Sequence, residues 1–291
     1  MTLKERQMKI TGKTAVYGII GHPVKHSLSP LMQTEAFKEA GIDAVYVPFE
    51  VEPENLEEAV KGLRALSVKG FNVTVPHKER VIEYLDFLSQ EAELLGAVNT
   101  VKNEDGELTG YNTDAEGFLR SLLEEGVELE DKKAVMFGAG GAARAVGYAL
   151  LKGGVKFLNI VNRSFPKAKA VAELLGRLGN VLVYPLKEGT VETLLKDADI
   201  IVNTTSLGMK ESDPPLFDYS KIPEGITVVD IIYNPPETPL LKAAREKGCK
   251  TVNGLGMLVH QGAVAFEIWT GEKAPVETMR KVLERELYGA L

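Results

Sequence analysis

Ala134-Val-Met-Phe-Gly-Ala-Gly-Gly-Ala-Ala-Arg144 is the stretch whose reading decides the fold of this chain. A run of apolar residues forms a buried strand. Gly138-x-Gly140-x-x-Ala143 follows, and then a helix rich in small residues. Gly138 permits a tight turn, and Gly140 lets the backbone approach a pyrophosphate. Ala143 stands where a third glycine would allow close helix–strand packing. The helix N-terminus adds unpaired N–H groups and a positive dipole end. Gly138, Ala139, Gly140, Gly141 and Ala142 are therefore candidate cofactor-binding residues. A plain strand-to-helix turn is the alternative, and the flanking strand and helix weigh against it.

Working outward, the next apolar run, 157–161, ends in Asn162-Arg163-Ser164. Dinucleotide-binding units that take NAD place a carboxylate here, for the ribose hydroxyls. An arginine instead matches the 2′-phosphate of NADP through paired, charge-assisted hydrogen bonds. The plainer reading is a surface arginine beside the following helix.

Short β-branched runs alternate with amphipathic stretches along the whole chain, the pattern of an α/β fold with mainly parallel sheets. Early strands are expected at 16–20, 45–50 and 70–75, with helices at 30–40 and 53–66. Strands at 97–102 and 108–112 flank Asn103-Glu104-Asp105-Gly106, whose Asp-Gly pair predicts a hairpin. A second series follows, with strands at 133–137, 157–161, 181–184, 200–203, 227–231 and 250–252. The acidic run 122–131 reads as a helix end plus a connector between domains. The stretch after Gly254 is helical, and a last amphipathic helix is expected at 275–288.

The 291 residues are 44% hydrophobic and 26% charged, ordinary for a globular protein. The length suits two domains of about 100–150 residues each. Mean hydropathy is −0.05, and no apolar run approaches the roughly 18 residues of a membrane span. The N-terminus lacks the apolar core of a signal peptide, so the protein is expected to be cytoplasmic. The formal net charge of −7 argues against a general nucleic-acid binder. It leaves room for a small anion held by local donors. Cys249 stands alone, which excludes an intramolecular disulfide. His22 and His26 have Pro23 between them, a poor spacing for a shared helix face, and no metal site is expected.

The remaining motifs are not generic to nucleotide-binding folds. They are Ser27-Leu-Ser29-Pro30, Asn72-Val-Thr74-Val-Pro76-His77-Lys78, Gly96-Ala-Val-Asn99-Thr100 and Gly110-Tyr-Asn-Thr-Asp114. Later come Asn203-Thr-Thr-Ser-Leu-Gly-Met209, Asp230-Ile-Ile-Tyr233-Asn-Pro235 and Gly254-Leu-Gly-Met-Leu-Val-His-Gln261. In this order and spacing the chain resembles the shikimate dehydrogenase family over nearly its whole length. The resemblance implies reduction of the ketone of 3-dehydroshikimate by NADP(H), within aromatic amino-acid biosynthesis.

Lys78 follows a strand end, where α/β proteins place ligands. An ammonium there can donate a proton to a developing alkoxide and stabilise its charge. The alternative is a solvated lysine in a helix's first turn, where a cation opposes the dipole. The resemblance pairs Lys78 with Asp114 as the catalytic residues and has Asp114 accept from a substrate hydroxyl. Locally, Thr113 and Glu116 make a capping-box pattern in which Asp114 is a first-turn acid; the two readings are compatible. Ser27 and Ser29 match a carboxylate-binding pair. Ser29 before Pro30 also reads as an ideal N-cap, whereas Ser27 has no such local explanation. Thr74, Asn99, Tyr233 and Gln261 match further substrate contacts. Ile231 and Gly254 match the nicotinamide end of the cofactor site. Asn162, Arg163, Ser164, Phe165, Pro166 and Lys167 match the adenosine-phosphate segment.

The expected architecture is α/β with two domains and a cleft between them. Residues 1–114 bind substrate, 115–252 form a Rossmann-like NADP domain, and the helices of 253–291 return to the substrate domain. Closure of the cleft would exclude water. The partner is a small molecule; nucleic acid and membrane are excluded; the chain is a monomer or homodimer. Two other readings remain: a quinate/shikimate dehydrogenase of broader range, and a non-catalytic NADP-binding sensor, against which the retention of Lys78 and Asp114 argues.

Overall fold

The alternating runs become two six-stranded sheets among the described residues. A computed structural model describes residues 10–289. Apart from Ile10, the N-terminal stretch read above for signal-peptide character lies outside them. The chain divides into two units. The first takes the described residues up to Tyr111 and those from Gly262 onward, and the second is Asn112–Gln261.

The first unit contains β1 (Ala15–Gly21), α1 (Ser29–Glu39), β2 (Ala44–Glu50), α2 (Leu56–Ala65), β3 (Gly70–Val73), β4 (Phe87–Leu88), α3 (Gln90–Leu95), β5 (Thr100–Glu104) and β6 (Glu107–Tyr111). Its strand order is β2-β1-β3-β5-β6-β4. β1 runs parallel to β2 and β3, whereas β5 is antiparallel to β3 and β6. Asp105 and Gly106 turn the β5–β6 hairpin with φ of 52° and 92°. Two successive positive φ values make the primed turn that the Asp-Gly pair favours.

The period of two puts Tyr17 on one face of the sheet, where its ring centroid lies 4.9 Å from Phe37 and 5.3 Å from Trp269. On the other face Ile20, Phe71 and Val73 bury against Leu56, Val60 and Leu63 of α2. The strand expected at 70–75 stops at Val73, because Thr74 turns back to accept the His77 N–H at 2.9 Å. The helix expected at 53–66 opens with a separate 3₁₀ turn, Pro53–Asn55.

The second unit contains α4 (Asp114–Glu124), β7 (Lys133–Phe137), α5 (Gly141–Lys152), β8 (Phe157–Asn162), α6 (Phe165–Leu175), β9 (Asn180–Pro185), α7 (Glu188–Lys196), β10 (Ile200–Asn203), β11 (Thr227–Asp230), α8 (Pro239–Glu246) and β12 (Lys250–Val252). The order is β12-β11-β10-β7-β8-β9, parallel throughout. It reverses between β7 and β10, the switch point at which doubly wound sheets bind ligands. Val135, Phe137, Ile201 and Val228 are fully or almost fully buried under α7 and α8. Such apolar strands are what a sheet covered on both faces requires.

Two expectations need correction. The acidic stretch 122–131 is a helix end as read, but it and its connector lie inside the second unit. Gln261 also falls in the second unit, because the division lies within α9 (Leu255–Thr270); only the chain from Gly262, with α10 (Val276–Tyr288), belongs to the first. No helix among the described residues is long and apolar enough to cross a membrane.

Candidate functional site

Topology gathers four candidate residues at one edge of the first sheet. β1 and β3 are parallel, so the loops that carry Ser27 and Thr74 to Lys78 leave from the same edge. β5 is antiparallel to β3, so its start, with Asn99 just before it, lies at that edge too. Asn99 O accepts the Val73 N–H at 2.8 Å. Lys78 O accepts the Val98 N–H at 2.8 Å, which ties the lysine's turn to the residue before Asn99. β6 returns to the same edge and ends at Tyr111, just before Asp114.

Lys78 is half-buried in a turn that precedes the 3₁₀ helix Arg80–Tyr84, so it is not a first-turn lysine of an α-helix. The turn is clamped by His77, only 1% exposed, whose Nε2 lies 2.7 Å from Val51 O. Thr74 is half-buried, and its N–H donates to Ile20 O at 3.0 Å.

The serines depart from their reading. Leu28 holds the N-cap position of α1, and Ser29 is its first helical residue. Ser27 does have a local partner, since its Oγ accepts the Ser29 N–H at 3.3 Å. Ser29 is buried, while Ser27 is half-buried.

Behind Asn99 runs a buried polar chain that sequence reasoning gave no role. Tyr46 Oη donates to Asn72 Oδ1 at 2.6 Å. Asn72 Nδ2 donates to Asn99 O and to Thr100 Oγ1, both at 3.0 Å. Thr100 Oγ1 donates to Asn99 Oδ1 at 3.0 Å. Burial pushes the Tyr46 hydroxyl well above its ordinary pKa. Asn72 and Thr100 stand inside quoted motifs, and that was their only signal; Tyr46 had none.

The second unit presents its candidates at the carboxyl edge of a parallel sheet. Gly138 follows β7 with φ of 113°, a left-handed conformation that favours glycine. A Cβ there would collide with Thr204 Oγ1 at the end of β10. Gly140 is the N-cap of α5 and has no side-chain cap. Added Cβ atoms at Gly140 and Gly141 would project into open space. A cavity of about 470 Å³ opens here, lined by Gly138, Gly140, Arg163, Lys167, Thr204 and Ser206 among others. Its size suits a cofactor. Arg163 and Lys167 are exposed, and neither makes an ion pair among the described residues. An uncapped helix N-terminus, an unfilled glycine cradle and two cations together fit a dinucleotide with an extra phosphate.

Asn203 and Asp230, both fully buried, organise the loops beyond β10 and β11. Asn203 Nδ2 donates to Asp230 Oδ1 and to Leu207 O, both at 3.1 Å. Asp230 also accepts from the Ile232 N–H at 3.1 Å and from Thr238 Oγ1 at 2.8 Å. Burial raises the Asp230 carboxyl's pKa despite these donors. Ile231 and Tyr233 are half-buried in the loop so held, and burial raises the Tyr233 hydroxyl. Gly254 joins the same loop through its N–H to Ile232 O at 3.0 Å.

Asp114 is half-buried at the start of α4, where Thr113 makes no side-chain cap. The capping box is absent: Asn112 Oδ1 accepts the Asp114 N–H at 3.1 Å, and Glu116 pairs with Arg120 at 3.0 Å. Gly117, one turn on, lies against the backbone of Gln261 in α9. Glu124 and His260 pair between the same helices at 2.9 Å. Asp114 and Gln261 thus stand on packed neighbouring helices.

Residues 19–101 match the shikimate dehydrogenase substrate binding domain, 121–230 match shikimate / quinate 5-dehydrogenase, and 254–284 match the shikimate 5'-dehydrogenase C-terminal domain. The chain belongs to the shikimate dehydrogenase family. A shikimate dehydrogenase (NADP(+)) of Methanopyrus kandleri is 47% identical over 285 residues, 96% of this chain and 98% of that one. A shikimate dehydrogenase solved in complex with NADP+ superposes with a TM-score of 0.90 at 45% identity, over 96% of this chain and 98% of that one. Shikimate 5-dehydrogenase from Listeria monocytogenes, solved with shikimate and NAD, gives 0.91 at 40% identity, over 96% and 100%. The three regions of shikimate dehydrogenase similarity include the candidate residues apart from Asp114, Ile231 and Tyr233, which fall between the matched regions.

Proposed function

We propose that this chain is an NADP-dependent shikimate dehydrogenase that interconverts 3-dehydroshikimate and shikimate. The observation that carries the reading is that each unit of a chain of this family presents one furnished sheet edge. One edge presents Ser27, Thr74, Lys78 and Asn99, and the other presents a glycine cradle followed by Arg163. The first unit supplies Ser27, Ser29, Thr74, Lys78 and Asn99 to the substrate; the second takes NADP(H) and supplies Asp114, Tyr233 and Gln261.

NADPH, when bound, supplies the hydride to the ketone carbon. Lys78 gives a proton from its ammonium to the ketone oxygen and takes it back in the reverse direction. Asp114 accepts a hydrogen bond from a substrate hydroxyl. Ser27 and Ser29 hold the carboxylate; Thr74, Asn99, Tyr233 and Gln261 make further polar contacts to the substrate. Gly138 to Ala142 and the N-terminus of α5 receive the pyrophosphate. Asn162 to Lys167 receive the adenosine phosphate, with the Arg163 guanidinium on its 2′-phosphate. Ile231 and Gly254 line the nicotinamide end.

The test is reduced-cofactor formation from shikimate or quinate, each with NADP or NAD, by the parent protein and by Lys78→Ala. Turnover of shikimate with NADP is expected, with Lys78→Ala losing roughly 10²–10⁴-fold in kcat while still binding NADP. Comparable quinate or NAD turnover moves the chain to the broader class. Silence in all four mixtures, with NADP still bound, makes it a sensor.

A further inference from the structure

The polar chain behind Asn99 has a direction, and a carbonyl sets it. Asn99 O can only accept, so the end of the Asn72 amide beside it, at 3.0 Å, is Nδ2. The other end is then Oδ1, and Tyr46 directs its hydroxyl proton to it at 2.6 Å. The second Nδ2 proton of Asn72 goes to Thr100 Oγ1 at 3.0 Å, and Thr100 passes its own proton to Asn99 Oδ1 at 3.0 Å. Asn99 therefore turns its oxygen toward Thr100 and its Nδ2 away. Tyr46 is 4% exposed, Asn72 6%, Asn99 3% and Thr100 0%. Water cannot replace a lost link cheaply in such a place.

We infer that Tyr46, Asn72 and Thr100 are positioning residues that fix the Asn99 amide as a donor toward its ligand. The inference rests on the reading of Asn99 as a substrate contact and deepens it. A donor amide selects a ligand oxygen, from a hydroxyl or a ketone, over a group that offers only a proton. Reversal of the amide would leave an acceptor, which a hydroxyl meets only by turning its own proton toward it and a ketone oxygen cannot meet at all. The three supporting residues thus set part of the substrate specificity without touching the substrate.

Thr100→Val keeps the shape and removes the hydroxyl, and Thr100→Ser restores the hydroxyl. KM for shikimate is expected to rise about tenfold in Thr100→Val, a factor within reach of one hydrogen bond, and to stay within about twofold in Thr100→Ser. KM for NADP+ should not move in either. In an Asn99→Ala background Thr100→Val should add nothing. Tyr46→Phe takes the proton from Asn72 Oδ1 and also removes the hydroxyl bonded to Ser29; it should raise KM for shikimate about threefold in the parent and by a smaller factor in the Asn99→Ala background, and that difference carries the test if Thr100→Val does not fold. Full multiplication of the Thr100→Val and Asn99→Ala effects overturns the inference, as does a Thr100→Ser variant as impaired as Thr100→Val. An Asn99→Ala variant with the parent's KM removes Asn99 from the substrate site, and the inference goes with it. Loss of shikimate turnover in the parent overturns the function itself.

Discussion

We assign the preference for NADP to a single residue, Arg163, which has Lys167 beside it after β8. Both are exposed and line the cavity at the end of β8, and the position where a carboxylate would serve NAD holds the arginine. Removal of a charge-assisted pair costs about 1.5–3 kcal/mol, so Arg163→Ala is expected to raise KM for NADP+ roughly 10–100-fold. KM for NAD+ should change little, since NAD has no 2′-phosphate. Equal losses with the two cofactors would detach Arg163 from that phosphate. At this scale the sequence was read well by residue type and poorly by partner. Ser29 and Thr113 fit cap preferences, yet neither makes the side-chain cap, because Ser29 has entered the helix and Asn112 serves the Asp114 N–H instead. Ser27 lacked any local reading and proves to accept from a residue two positions on.

α4 and α9 meet at Gly117, where two rules of opposite sign compete. In an exposed helix, glycine to alanine gains about 1 kcal/mol. Here a Cβ would lie 2.8 Å from the Cα of Gln261, which is backbone and cannot swing aside. Overpacking of this kind costs about 1–3 kcal/mol, so the clash wins. Gly117→Ala is expected to lower Tm by a few degrees, about 2–4 °C for each kcal/mol lost. It should also raise KM for shikimate, because the helices that carry Asp114 and Gln261 must shift. A raised Tm in a thermal melt would show that helix propensity prevails and that the approach is looser. Strand and helix order were legible because the hydrophobic period changes between elements. The break at Thr74 was not, because it depends on a turn closed by His77.

The whole molecule should show its buried tyrosines in its response to alkali. Tyr17, Tyr46, Tyr219 and Tyr233 all have hydroxyls raised above their ordinary pKa by burial, Tyr46 most clearly. Below about pH 10 these groups are protonated in both folded and unfolded chains and contribute no pH dependence. Above it the unfolded chain releases its protons first, so stability falls as pH rises toward the folded-state values. Tm measured from pH 8 to 11 should decline beyond pH 10, and the decline should be shallower in Tyr46→Phe. An equal slope in that variant would mean that the Tyr46 hydroxyl is not shielded. The sequence by itself determined the α/β class, the glycine turn after β7, the arginine after β8 and the ordered motifs of the family, because each is written in residue type, period or spacing. Only the tertiary structure decided that β5 returns Asn99 to the edge that holds Lys78, that Gln261 lies with Asp114 in one unit, and that Tyr46, Asn72, Thr100 and Asn99 join in one buried chain of hydrogen bonds. Those facts depend on strand order and on hydrogen bonds between residues distant in the chain, and local chemistry does not specify such partners.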